Sequence, residues 1–288
     1  MADEKSTSAA FLITGASTGI GAACALELDR RGYRVFAGVR SLADAERLQS
    51  HASARLTPLR LDVTRADDIA AAAATVDEAV GPAGLAGLVN NAGIVVAGPL
   101  ELLPLERFRT QLEVNVVGPL AVTQAFLPAL RRAKGRIVNI GSANSRIVAP
   151  YLGPYSASKH ALAAMSRAMH LELRTWGIHV ALVEPGGHAT PIWDKTLAAS
   201  DVLERQTPSD AVDMYRADLD AMRTATRHMA ASADPADNVV HAVVHALTAR
   251  RPRVRYPVGF ETRLLFRLIK WLPDRLWDRI LLRALGMK

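Results

Sequence analysis

Short apolar runs alternate with longer helical patterns along most of this chain, and that rhythm restricts the fold more than any other feature. The stretches "AAFLITG", "YRVFAGV", "LTPLRLDV", "GLVNNAG", "GRIVNIGS" and "IHVALVEPG" read as strands, with "RVRYPV" as a last one. Between them the spacing predicts helices over 19–31, 41–52, 66–80 and 104–132, another beginning near Tyr155, and one over 235–248. Strands separated by helices need crossover connections, and these produce a parallel sheet covered on both faces. The expectation is an α/β, doubly wound, Rossmann-like single domain over 1–250, with a substrate-covering insertion at about 188–232 and a basic amphipathic extension over 251–288. Half of the 288 residues are apolar, enough for a large core.

Charge and cysteine content narrow the function classes. From Arg250 onward there are eleven basic residues against Glu261, Asp274 and Asp278, a local net charge of +8. The whole chain carries +7, so the remainder is at −1, and the basicity is no duplex-binding face spread over the fold. No nucleic-acid partner is expected. Cys24 is the only cysteine, so no intrachain disulfide can form, and the expectation is a cytoplasmic protein. No segment approaches the roughly 18 uninterrupted apolar residues of a membrane span.

"TGASTGIG" (Thr14 to Gly21) joins the first strand to the first helix. Gly15, Gly19 and Gly21 permit a tight turn, and the backbone N–H groups of this loop, through Ser17, Thr18 and Ile20, face a pyrophosphate at the positive end of a helix. The spacing is G-x-x-x-G-x-G and departs from the G-x-G-x-x-G of larger dehydrogenases. "NNAG" ends a strand with small residues, so a ribose can pass close to the backbone at Asn91, Ala92 and Gly93. At the end of the second strand an acidic residue would favour a free ribose 2′-hydroxyl. Val39 stands there, followed by Arg40 and Ser41, and a guanidinium clamps a phosphate. NADP(H) is therefore preferred, with NAD(H) left open. No metal site is read.

"GPYSASKHAL" places Tyr155 and Lys159 four residues apart, on one side of a helix with about 3.6 residues per turn. A free tyrosine has a pKa of about 10, and a cation within about 6 Å favours the phenolate. The pair therefore suits proton exchange with a substrate.

Together with "LDV", Asn115, Ser142 and "PGGHAT", these pieces make the chain resemble the short-chain dehydrogenases/reductases, in their single-domain branch, over about residues 9–238. The resemblance implies that Ser142 hydrogen-bonds the substrate oxygen and that Tyr155 is the general acid/base. It implies that Lys159 binds the nicotinamide ribose and stabilises the tyrosinate, and that Asn115 holds a water linking the lysine to solvent. It also implies that Asp62 and Val63 contact adenine, that Pro185 and Gly186 lie beneath the nicotinamide, and that Thr190 reaches the carboxamide. His188 reads as a spacer or pocket wall. A homodimer or homotetramer is expected.

The extension "FETRLLFRLIKWLPDRLWDRILLRALGMK" interleaves large apolar residues with arginines at three- and four-residue spacings. This fits an interfacial helix pair on an anionic membrane, and equally helices packed over the substrate mouth or against a second subunit. Packing or subunit contact is preferred over lipid. The extension and the insertion resemble the hydroxysteroid and retinol dehydrogenase side of the family, which implies a bulky apolar alcohol or ketone as substrate. The rival readings are a nucleotide-sensing binding protein without turnover, and an epimerase or dehydratase of the same superfamily.

Overall fold

Phe11 and Ile13 pack against one layer of helices, while Ala10 and Leu12 pack against another. This strict alternation within a fully buried strand is what a central strand of a two-faced sheet requires. The computed structural model describes residues 9–187, 192–231 and 235–287. The strands are β1 (Ala10–Ile13), β2 (Arg34–Val39), β3 (Leu56–Arg60), β4 (Gly87–Asn90), β5 (Arg136–Ile140), β6 (His179–Pro185) and β7 (Arg255–Val258). They form one sheet in the order β3-β2-β1-β4-β5-β6-β7, with every pairing parallel. The order reverses between β1 and β4, and a ligand crevice opens at such a point, beyond the carboxyl ends of the strands. Pro58 sits in β3, an edge strand, where its missing N–H costs no ladder bond.

On one face lie α1 (Gly19–Arg30), α2 (Leu42–Gln49) and α10 (Asp237–Thr248), with Cys24, Leu28, Leu48, Val243 and Leu247 in the core. On the other lie α3 (Ala66–Val80), α5 (Gly118–Ala133) and α6 (Gly153–Glu172), contributing Ile69, Val76, Phe126, Leu130 and Met169.

The single helix read over 104–132 is three pieces. They are α4 (Leu105–Leu112), a π turn at Glu113–Val117 and α5. Pro119 gives the physical reason, because it has no N–H to donate to the Asn115 carbonyl four residues back and the regular ladder cannot run through. The stretch Leu105–Ala133 is, among the described residues, long and apolar enough to cross a membrane, yet Val122, Phe126 and Leu130 lie in the core.

The segment after β6 forms α7 (Ile192–Gln206), α8 (Ser209–Asp213) and α9 (Arg216–Ala231). After β7 come α11 (Phe260–Leu268) and α12 (Asp274–Ala284). β7 belongs to the sheet, so the helical extension proper starts at Phe260.

Candidate active site

The glycine loop is built by close approach. A Cβ on Gly21 would run into the Gly15 carbonyl oxygen and the Asn91 side chain, and one on Gly15 would lie 2.8 Å from the Ala92 Cα. Gly15 and Gly19 also have φ of +64° and +58°, which glycine adopts at little cost. The loop is held from β4. Asn91 Nδ2 donates to the carbonyls of Thr14 and Gly15, each at 3.0 Å, while Thr14 Oγ1 accepts from the backbone N–H groups of Asn91 and Ala92.

A crevice of about 380 Å³ opens beside this loop. Gly15, Ser17, Thr18, Gly19 and Ile20 line it on one side. Arg40, Asp62 and Val63 line it on a second, and Asn91, Ala92 and Gly93 on a third. A crevice lined by a glycine loop at a helix N-terminus fits a dinucleotide. Val39, Leu61 and Ile94, and Thr110 and Val114 from the α4 side, also line it.

Three of the residues assigned from sequence also have local structural work. Gly21 does not line the crevice; it lets the helix start pack on the loop. Ser41 is outside the lining too, because its hydroxyl caps α2, accepting from Asp44 N at 3.2 Å and donating to the Asp44 carboxylate at 2.8 Å. Asp62 Oδ1 closes a local turn on the N–H and hydroxyl of Thr64. Burial raises the Asp62 carboxyl, but those two bonds with Arg40 and Arg65 outweigh it and hold it below the usual range. Arg40 thus stands exposed at the crevice, close enough to act on Asp62.

Ser142, Tyr155 and Lys159 come together past the end of β5. Ser142 is an N-cap in extended backbone; its Oγ accepts from Asn144 N, and its own N–H donates to Ser145 Oγ, each at 3.1 Å. Asn144 Nδ2 donates to Ser156 Oγ at 3.0 Å, tying this turn to α6. The Ser142 hydroxyl is close enough to the Tyr155 phenol to favour its ionised form. Lys159 is buried, its Nζ lies 5.6 Å from the Tyr155 ring centroid, and it donates to the Ile140 carbonyl at 2.8 Å.

The electrostatics correct the expectation of a phenol drawn downward by the lysine. Tyr155 is half-buried as a residue, and desolvation of its hydroxyl raises the phenol above its ordinary value, against the effect of Ser142. Burial pulls Lys159 down to about 8. The ammonium is aimed at the Ile140 carbonyl, so it lies over the phenol ring and its pull on the hydroxyl is weak here.

Asn115 sits in the π turn, buried, with Nδ2 donating to the Ile94 carbonyl (3.0 Å) and to Ser158 Oγ (3.1 Å), and Oδ1 accepting from Ile94 N (2.9 Å). Its side chain is therefore fully used in holding the loop after "NNAG". Pro119 removes the donor that an α-helix would offer its backbone carbonyl.

Pro185 ends β6, paired with Val258. A Cβ on Gly186 would strike Thr262 Oγ1 of α11. Thr190 and His188 lie outside the described residues.

A short chain dehydrogenase family model matches residues 9–201. The chain belongs to the short-chain dehydrogenase family. Mouse retinol dehydrogenase 5 is 39% identical over 277 residues, covering 94% of this chain and 87% of that protein. Bovine 17-beta-hydroxysteroid dehydrogenase type 6 gives the same identity and coverage. Among solved structures, a short chain dehydrogenase of Burkholderia cenocepacia J2315, in complex with NADP, is 26% identical. It aligns with a TM-score of 0.72 over 97% of this chain and 98% of that one. The protein is thus a hydride-transfer oxidoreductase with a doubly wound parallel sheet.

Other residues of this short-chain dehydrogenase shape the site without having been read from sequence. Gln111, fully buried four residues before Asn115, accepts from Val96 N at 2.6 Å and donates to the Ile94 carbonyl at 2.8 Å. The i, i+4 spacing with Asn115 was the available signal. Arg47 donates from α2 to the Ser17 carbonyl at 2.9 Å, which fixes the crevice rim. Tyr151, at φ +61°, donates to Asp218 of α9 at 2.7 Å and ties the insertion to the turn ahead of α6. Glu184, fully buried, accepts two bonds from Arg146, at 3.0 and 2.9 Å, with Arg255 3.5 Å away. Nothing near either arginine marked these partners, which are brought together only by the fold.

Proposed function

We propose that this short-chain dehydrogenase is an NADP(H)-dependent carbonyl reductase or alcohol dehydrogenase acting on a bulky apolar ketone or secondary alcohol of the steroid or retinoid kind. The observation that carries the catalytic part is the convergence of the Ser142 hydroxyl, the Tyr155 phenol and the Lys159 ammonium past the end of β5. The nicotinamide, when bound, supplies or takes up the hydride.

Ser142 holds the substrate oxygen and fixes which of its lone pairs meets the phenol. Tyr155 gives its proton to that oxygen in reduction and removes it in oxidation. With its pKa raised, the phenol keeps its proton at neutral pH and is ready to act as the acid. Lys159 limits the cost of the phenolate that remains, and its positive charge is present below about pH 8. Asn115, anchored next to Lys159 through Ser158, offers its backbone carbonyl to a relay water on the lysine side. Gly15 to Ile20 and Asn91 to Gly93 hold the dinucleotide.

The preference for NADP(H) rests on Arg40 at the crevice where a carboxylate would select a free 2′-hydroxyl. The Burkholderia relative solved with NADP supports it. The apolar substrate class rests on the named activities of the mouse and bovine relatives, aligned nearly end to end. Arg40→Asp is expected to lower kcat/KM for NADPH by about 10- to 100-fold, the loss of one charge-assisted contact, and to raise the relative use of NADH. Steady-state kinetics with both dinucleotides check this. An unchanged ratio would remove Arg40 from the specificity account.

A further inference from the structure

The two helices of the extension differ in what they bury. α11 turns Thr262 and Phe266 inward, and Phe266 lies under the Arg146 guanidinium at 4.3 Å. The other face of α11 carries Phe260, Leu264 and Leu268, four residues apart and all exposed, and Trp271 follows at 87% exposure. None of the eleven residues of α12 is buried. Leu276 and Ile280 are exposed there, beside a stripe formed by Arg275, Arg279 and Arg283. A soluble surface seldom leaves large aromatic and aliphatic side chains exposed in series, and a neighbouring arginine stripe names the partner's charge.

We propose that α11 and α12 dock the protein in the plane of an anionic lipid surface, with the apolar side chains entering the acyl boundary and the arginines meeting headgroups. A second copy of this chain fits less well, because a two-fold contact through this face sets the arginine stripe close to its own duplicate. The surrounding segment has a net charge of +8, which lipid phosphates complement. Of the two helices, α11 packs Thr262 and Phe266 onto the domain, whereas α12 buries no residue.

Docking there has a consequence for the site. Thr262 of α11 lies against Gly186, and Phe266 lies on the arginine that clamps Glu184 beneath the same turn. The lipid surface is thereby held beside the catalytic crevice, and an apolar substrate reaches it without crossing water. That consequence rests on the carbonyl-reductase reading; the docking does not.

The test is co-sedimentation of the full chain with vesicles of phosphatidylcholine alone, or of phosphatidylcholine and phosphatidylglycerol in equal parts. Binding is expected to be at least about tenfold stronger on the anionic vesicles and to fall with added salt. The triple variant Arg275→Glu, Arg279→Glu, Arg283→Glu is expected to lose on the order of 100-fold. Phe260→Ser with Trp271→Ser is expected to lose on the order of tenfold or more. All five side chains are exposed, so melting temperatures should barely move.

Equal partitioning on neutral and anionic vesicles, or binding indifferent to the charge reversals, overturns the proposal. So does light scattering that shows these substitutions dissociating a dimer with no vesicle affinity. Turnover of a water-soluble ketone, measured alongside, separates the two readings. Turnover without vesicle binding removes only the docking, and vesicle binding without turnover removes only the catalytic assignment.

Discussion

Tyr155→Phe is expected to lower ketone reduction by about 10²- to 10⁴-fold, the range a positioned acid contributes, while dinucleotide affinity changes less than about twofold. The substitution removes one oxygen and keeps the ring that packs beneath Lys159. Among the described residues Ser142 is the side chain beside the phenol, and it is a hydroxyl whose Oγ already accepts from Asn144 N. The pH dependence follows the direction of the shift. Burial raises the phenol, so reduction, which needs the O–H, persists through neutral pH, and alcohol oxidation, which needs the phenolate, climbs as pH rises. Rates in both directions from about pH 6 to about pH 10 should show that climb in the native chain and lose it in the variant. A variant that retains its rate within twofold would take Tyr155 out of the chemistry.

Arg146→Ala is expected to cost about 3–5 kcal/mol of stability, because it strips a fully buried carboxylate of its bidentate partner. Arg255, at 3.5 Å and with a partly exposed side chain, compensates only in part. For a chain of this size the melting temperature should fall on the order of 10 °C. The removed guanidinium also leaves Phe266 without its stacking partner, so α11 should loosen from the sheet edge. Replacing the pair together, Arg146→Met with Glu184→Gln, should recover most of the loss, since no buried charge is then stranded. Thermal melts of the three proteins check this. If the single variant melts with the native chain, the buried pair does not hold this end of β6.

Much of this architecture was legible because each strand of a two-faced sheet is an uninterrupted apolar run between helical periods. All seven runs became strands, and 66–80 became α3 with the same bounds. The loop at Gly15 to Gly21 and the pair of Tyr155 and Lys159 were legible because their spacing is local to one turn and one helix start, whereas Ser142, beyond β5, was reached only through the family resemblance. What escaped was set by tertiary context. The break at Glu113–Val117 follows from Pro119, which is tolerable inside an apolar helical pattern until the ladder is followed bond by bond. Gln111 was not singled out, since its partners come from the packed loop at Ile94 to Val96. The insertion's helices were not read, and the buried residues of α9 are only Leu219, Met222 and Thr226. The depressed phenol pKa inferred from the i, i+4 spacing failed for a related reason. Spacing sets which face two groups share, and the Ile140 carbonyl decides where the ammonium points.

The account is tested most directly by following a label. With NADPH carrying deuterium at the reactive nicotinamide carbon and a bulky apolar ketone as acceptor, the alcohol product should carry deuterium at the carbinol carbon, and Tyr155→Phe should yield almost none. Tight dinucleotide binding with no deuterated alcohol from any ketone in a series graded by size would contradict it, and would leave a protein that reads the nucleotide without performing the transfer.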